Sequence, residues 1–574
     1  MLSRRKFVGT GLAALAVGLS SRRGLCGLMA AAGRAPKDLA APLAPITLPR
    51  SIMVEGMPFA SEGWSGDVWN YDTMPFHHGE NRYPNDQPPA ASESTDIVIV
   101  GGGLSGLAAA YLLRRHHPVV FELADRFGGV ARGETWNGLP YSLGSAYFIN
   151  PDEGSDLQRF YCELGFDQTH RLSEGDGPVE LNGELIESIF DDPGIPPAER
   201  EALQRYRNLV QEFVEDYPEI PLVGEPEEHA WVVELDRVSF RQHVEGRIGP
   251  VPPLLASLIQ GYFYSSFGAG WEEISAAAGW NFVAAEEFGR WVLPGGNAGL
   301  VEALYQKLRA QSTRPDRDVS RDAAPKPARA NLRQGRRVVE VREAGPGRLL
   351  VVTSDGQGHF DALHARRVVL ACPKHVARLV IKPLVEEPHP WVQASRQVYT
   401  YAYLVVNLLL DRPLNRDFYD LFLLWNGQYP MDTPSVEQWH RITDVVNGVY
   451  NRVHTDGRSV LTCYWPLPYP AARFPLFDET SFTDYARSAA PRIRHLLAAL
   501  GLPEHALVQA RLARWGHAFP IARVGFLAGG AWKTLREPPY PGVFAIGQDN
   551  WVLPAVETCL LEAMAMIPRI EEGL

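Results

Sequence analysis

The 574-residue sequence predicts an α/β fold in which one domain is built around a strand, glycine turn and helix, with a second, α+β domain inserted into it in pieces. Two observations carry this. Asp96-Ile97-Val98-Ile99-Val100 is a short apolar run that leads through Gly101-Gly102-Gly103-Leu104-Ser105-Gly106 into an Ala- and Leu-rich stretch ending near Arg115. Further strand-like runs that could complete the same sheet recur only much later, around 338–341, 367–371 and 542–546.

Each part of the first unit has a physical reason. Gly101 permits the tight turn after the strand, Gly103 lets the backbone approach a pyrophosphate, and Gly106 lets helix and strand pack closely. Leu104 and Ser105 complete the loop at the helix start, where free backbone N–H groups and the helix dipole favour a phosphate. The next strand, Val119-Val120-Phe121, ends in Glu122, a carboxylate placed to accept hydrogen bonds from an adenosine ribose. The unit therefore reads as a Rossmann-like GxGxxG dinucleotide-binding turn.

Composition narrows the function. With 55 Lys+Arg against 67 Asp+Glu the chain is acidic, which argues against nucleic acid as a partner, because that surface must be cationic. The five cysteines, at 26, 162, 372, 463 and 559, form no CxxC pair, so neither a metal site nor a disulfide framework is expected. His77-His78 lacks further ligands at usable spacing.

The first 32 residues have the pattern of a signal peptide: a basic start, an apolar run from Gly9 to Leu19, and small residues at Ala30-Ala31-Ala32. Ser3-Arg4-Arg5-Lys6-Phe7 resembles the twin-arginine (Tat) export signal, which implies passage through the Tat machinery and a periplasmic or secreted location. The run is too short to span a bilayer. Residues 33–93 read as an extended Pro-rich arm whose aromatics dock on the body.

Several later segments resemble the flavin-containing amine oxidase superfamily, which includes monoamine and polyamine oxidases and, more distantly, phytoene desaturase and protoporphyrinogen oxidase. Arg126-Phe127-Gly128-Gly129-Val130-Ala131-Arg132 resembles its R-x-G-G segment, and Tyr141-Ser142-Leu143-Gly144-Ser145 its D-L-G-G/S segment, with Ser142 in place of the acid. The resemblance implies FAD as cofactor, contacted by Arg126, Gly128, Gly129, Arg132, Gly144 and Ser145. It further implies that Val339 touches adenine, that Asp549 in Ile546-Gly547-Gln548-Asp549 bonds the ribityl or pyrophosphate portion, and that Ala555 and Val556 open a last helix facing the flavin. Lys382 matches a lysine that holds a water against the flavin in relatives. Trp532, in Gly529-Gly530-Ala531-Trp532, and Trp551 match two aromatic walls of a substrate cage. Ala531 stands where monoamine oxidases carry a flavin-tethering cysteine, which implies non-covalent FAD.

Residues 151–290 hold 28 acidic and nine basic residues and no lysine. A negative field over a cavity would concentrate a cationic amine, although acidic surfaces also serve solubility. The expected layout is an FAD-binding domain from 94–150, 290–390 and 520–574 and a substrate domain from 151–289 and 391–519. The expected function is oxidation of an amino acid or polyamine by hydride transfer to FAD, with oxygen or an unknown redox partner as acceptor. Two rivals stay open: desaturation of an apolar substrate of carotenoid or porphyrinogen type, and a non-catalytic flavin-binding partner.

Overall fold

The computed structural model describes residues 40–67, 87–222, 224–312, 331–386, 388–425, 427, 442–451 and 457–574. The signal-peptide reading of residues 1–32 and the His77-His78 pair lie outside these residues. No helix among the described residues is long and apolar enough to cross a membrane.

The Glu93–Val100 strand is buried from Ile97 onward and lies in the middle of a sheet. In order, that sheet runs Asn331–Arg333, Val119–Phe121, Glu93–Val100, Phe360–Leu370, Leu349–Ser354, Arg337–Glu343, with Val543–Ala545 pairing beside Phe360–Leu370. The pairings around Glu93–Val100 are parallel, and the Phe360 to Arg337 part is antiparallel. Parallel strands buried on both faces require unbroken apolar runs, which is what Ile97–Val100 and Val368–Leu370 supply. Strands contributed by three distant stretches of chain thus share one sheet, and the Leu104–Leu112 helix follows the first of them directly.

That helix sits unusually close to its strand. A Cβ at Gly106 would lie 1.9 Å from the Gly101 carbonyl oxygen, so only glycine fits. The Asn297–Ser312 and Val556–Glu571 helices pack against the same helix, and their apolar faces form a continuous core with it.

A second, larger sheet is mainly antiparallel. Its longest strands, Thr400–Leu410, Ser459–Leu467 and Leu507–Pro520, are almost wholly buried. The Pro197–Glu215 helix buries Leu203, Tyr206, Leu209, Val210 and Phe213 on one face, matching the period of its apolar residues. It packs with the Phe240–Ile248, Pro253–Phe267 and Ala276–Glu286 helices.

The arm is woven into both sheets' surroundings rather than laid on the surface. Leu43–Ile46 runs parallel to Gly133–Trp136, Ser51–Val54 and Met57–Ala60 form a hairpin on the large sheet, and Ser65–Gly66 pairs with Leu507–Pro520. Trp64 packs edge-on to Phe482 and Tyr485 with the Arg514 guanidinium over its ring.

Candidate active site

One cavity of about 1800 Å³ runs between the two sheets. Ligand sites for one drug-sized molecule span about 300–1,000 Å³, so there is room here for a dinucleotide and a second molecule.

One region of the lining is the strand–turn–helix unit. Gly101, Gly103, Leu104, Ser105, Glu122, Gly128 and Gly129 all face the cavity. The Glu122 carboxylate accepts from the backbone N–H of Gly102 at 2.7 Å and of Ala124 at 2.8 Å, which fixes it at the cavity wall. Burial pushes its pKa up, and these N–H donors oppose that. Two helix N-termini open onto the space without a side-chain cap, one at Gly103 and one at Ala555. Uncapped N–H groups at both ends suit an anionic or carbonyl-bearing ligand.

The donor set is unsaturated in the same lining. Arg132 Nε and Thr558 Oγ1 are buried with no hydrogen-bond partner. Both can donate, so a group rich in acceptor oxygens fits them. Asp549 lines the wall beside Gly547, and its Oδ2 accepts from the Lys374 backbone N–H at 2.9 Å. The Lys374 ammonium, fully buried, donates to the Ile546 carbonyl at 3.1 Å.

Another region is aromatic and acidic. Tyr147, Phe422, Tyr464, Trp515 and Phe519 line it together with Glu286, Asp420 and Asp444. Arg290 donates to Asp420 at 2.7 Å and pairs with Glu286 at 3.0 Å. Asp444 accepts from Ser265 Oγ at 2.9 Å through Oδ2, while its Oδ1 is buried and unpartnered. Burial, with Asp420 nearby, holds the Asp444 carboxyl well above the usual carboxylate range, and burial raises Glu286. His375 and His517 stack at 3.9 Å in the same lining.

The model of the flavin containing amine oxidoreductase family matches residues 104–561. The chain belongs to this family. It is an FAD-dependent oxidoreductase. Solved structures agree in fold. A putrescine oxidase bound to putrescine is 18% identical, covering 83% of this chain and 99% of that one at a TM-score of 0.57. Cyclohexylamine oxidase from Brevibacterium oxydans is 18% identical over 83% and 100% at 0.55. A fatty acid isomerase from P. acnes is 16% identical over 83% and 99% at 0.55. No curated protein matches the sequence.

Within this oxidoreductase, twelve of the residues singled out from sequence meet in the cavity lining: Gly101, Gly103, Leu104, Ser105, Glu122, Gly128, Gly129, Arg132, Ser145, Asp549, Ala555 and Val556. Others do not. Gly106 serves helix–strand packing, and a Cβ on Gly144 would lie 1.8 Å from the Val130 carbonyl, so that glycine is a close-approach point too. Arg126 turns its guanidinium to the Gly133 carbonyl at 3.1 Å. Val338 lines the cavity, whereas its buried neighbour Val339 does not, and the strand carries a register shift between Val338 and Glu340. A one-residue shift moves a strand side chain to the opposite face.

The structure places the three residues expected to act on substrate outside this lining. Lys382 is exposed and lies outside the cavity lining. Trp532 and Trp551 stack on each other at 4.6 Å and 25°, leaving no gap for a substrate, and neither lines the cavity. Trp551 is 1% exposed and donates to Glu562 at 2.8 Å. Trp551 belongs to the core, and Trp532 is half-buried against it, donating to the Leu527 carbonyl at 3.2 Å.

Sequence reasoning missed Asp67, Tyr147, Glu286, His375, Asp420, Asp444, Trp515 and His517. Glu286 and Arg290 fall in the acidic 151–290 stretch, which was a signal of composition only. Asp420 and Asp444 sit at the ends of short strands that pair with each other, Asp420 opposite Val446 and Asp444 opposite Phe422, so only the fold brings them together.

Proposed function

We propose that this chain oxidises an amine, with FAD held non-covalently along the strand–turn–helix wall and the substrate in the aromatic, acidic region. The supporting observation is Asp444 Oδ1, a buried acceptor without a hydrogen-bond partner in the cavity lining, near Asp420 and Glu286, which share the Arg290 guanidinium. A buried carboxylate is stable only when paired or protonated. A substrate ammonium group would donate to Oδ1, and the Asp444 carboxylate is placed to accept its proton, leaving the neutral amine that hydride transfer requires. Tyr464 donates to the Gly144 carbonyl at 2.8 Å and Trp515 Nε1 to the Leu143 carbonyl at 2.8 Å, so both rings are rigid walls that orient the substrate. FAD supplies the redox step when bound. GxGxxG recognition of its pyrophosphate, with Glu122 on the ribose, is part of this reading, as is the two-domain layout.

Amino acids and polyamines are the substrate classes, with oxygen or another redox partner as acceptor. The Arg4-Arg5 leader supports Tat export to the periplasm or beyond.

An anaerobic visible spectrum of the holoprotein, taken before and after a panel of amino acids, monoamines and polyamines, tests the reading. Bleaching by one amine class, with Asp444→Asn raising the half-saturating concentration at least tenfold, is the expected result. A flavin spectrum that no amine bleaches would move the function to desaturation or to a non-catalytic role.

A further inference from the structure

The arm that precedes the family-matched region supplies a residue to the cavity. Ser65–Gly66 pairs parallel to the Leu507–Pro520 strand, with Gly66 opposite Arg514. Gly66 has φ +84°, and a Cβ there would lie 2.4 Å from the Arg514 carbonyl oxygen, so the contact is open only to glycine. The next residue, Asp67, donates its N–H to the Arg514 carbonyl at 2.8 Å and accepts from Arg514 Nε at 3.1 Å through its own carbonyl. Asp67 is among the residues that line the cavity.

The strand it meets is bulged at this point. Tyr403 is opposite Trp515 and Tyr401 is opposite Phe519, so Ala402 alone faces Gly516, His517 and Ala518. A bulge frees backbone N–H groups from the ladder and re-aims side chains. Here the Gly516 N–H donates to Asp67 Oδ2 at 2.9 Å. On either side of Gly516, Trp515 and His517 both line the cavity.

The same two arm residues reach a second cavity group. The Gly66 carbonyl accepts from Arg132, whose guanidinium lies 5.1 Å from the Trp515 ring and whose Nε is the unpartnered donor described above. Arg132 and Arg514 are the cations facing the Asp67 carboxylate, and Glu479 pairs with Arg514 from the other side.

We propose that Asp67 is a positioning residue of the active cavity: its carboxylate takes the N–H that the bulge leaves free and so holds Trp515 and His517 toward the FAD and substrate space. The proposal rests on FAD occupying this cavity. The arm is then a working part of the site, and the catalytic wall is shared between the family-matched chain and a segment outside it.

The test uses FAD-loaded full-length protein carrying Asp67→Ala or Asp67→Asn. Asparagine keeps an oxygen that can accept from Gly516, whereas alanine does not. The expected result is a shifted flavin visible spectrum and an FAD dissociation constant raised about tenfold in Asp67→Ala, the scale of one charge-assisted hydrogen bond. Asp67→Asn should restore the spectrum and stay within about threefold of wild type. A wild-type spectrum and affinity in Asp67→Ala would overturn the proposal. So would an asparagine variant as impaired as alanine, since that would make the charge, not the hydrogen bond, the operative feature. If Asp67→Ala fails to fold, Asp67→Ser, whose oxygen is too short to reach, gives the same two readings. Wild-type protein that takes up no FAD at all would instead overturn the cavity assignment itself.

Discussion

Arg290 Nη1 reaches Asp420 Oδ2 at 2.7 Å and Glu286 Oε2 at 3.0 Å, and all three side chains are largely shielded from bulk water, Arg290 at 9% and Asp420 at 6% exposed. Tyr147 and Tyr419 flank the guanidinium, each 5.6 Å from it. Arg290 therefore offsets part of the negative charge of this acidic cluster. Removing one partner of a buried pair leaves an uncompensated charge, which costs about 3–5 kcal/mol. Arg290→Gln should lower the unfolding free energy by that order in chemical denaturation and weaken amine selectivity. A loss below about 1 kcal/mol would show that the cluster is solvated, as exposed pairs are.

Trp551 offers a test of core against cage. Its Nε1 donates to Glu562 Oε2, while Asn550 holds Oε1 at 2.6 Å and Arg536 pairs with the same buried carboxylate. Trp551→Phe keeps most of the volume and removes one donor. The expected outcome is a stability loss of about 1–3 kcal/mol by thermal or denaturant unfolding, with the flavin spectrum and the amine concentration dependence unchanged. An unchanged stability with an altered amine dependence would return Trp551 to the substrate site.

Lys382 is the complementary negative control. Because it is exposed and outside the lining, Lys382→Met should leave flavin reduction by amine and reoxidation by oxygen within about twofold of wild type. A large fall in the reoxidation rate, measured by stopped flow, would place it at the flavin after all.

Glu272 gives the stability a pH dependence of defined sign. Burial pushes its carboxyl up to about 7, even though Gln260 donates to it at 3.1 Å. A carboxyl whose folded pKa exceeds its unfolded one binds its proton more tightly in the folded state. Its stabilising contribution is full below the unfolded value and is lost as pH rises through about 7. Glu272→Gln, neutral at every pH, should therefore be more stable than wild type at pH 8 by about 1 kcal/mol or more, with the difference shrinking toward pH 5. A difference that stays constant across that range would exclude the titration.

The first βα unit was legible because local chemistry dictates it. Glycines at 101 and 103 before a helix, and an acid closing the next strand, act through neighbours in sequence, and Glu122 indeed binds the N–H of Gly102 and Ala124. The Thr400–Leu410 and Ser459–Leu467 strands are legible in the same way, as apolar runs that are buried along almost their whole length. The aromatic, acidic region of the cavity was not legible for the converse reason. Asp420, Asp444, Glu286 and Arg290 come from separate elements, and nothing in their own sequence neighbourhoods distinguishes them from solvated charges. Trp532 and Trp551 show the opposite failure. Their motif context suggested facing walls, but the two rings stack on each other and the Trp551 N–H is held by the buried Glu562 carboxylate. Asp67 was invisible because its role depends on a bulge in a strand near the far end of the chain.

That distance has a consequence for how the molecule is made. Asp67 and Arg514 are bonded across 447 positions, and Ser51 and Gln509 across 458. Contacts so remote in sequence close only after the entropy of ordering the intervening chain has been overcome, which places them late in folding. During synthesis the arm is made 447 positions ahead of its partner at Arg514 and exists long before that strand does. Until then its apolar Met57 and Phe59, both at most 1% exposed in the finished molecule, have no strand of the large sheet to cover them. A chain that lacks the Leu507–Pro520 strand thus leaves the arm poorly protected, and the cavity wall is complete only once that strand has formed.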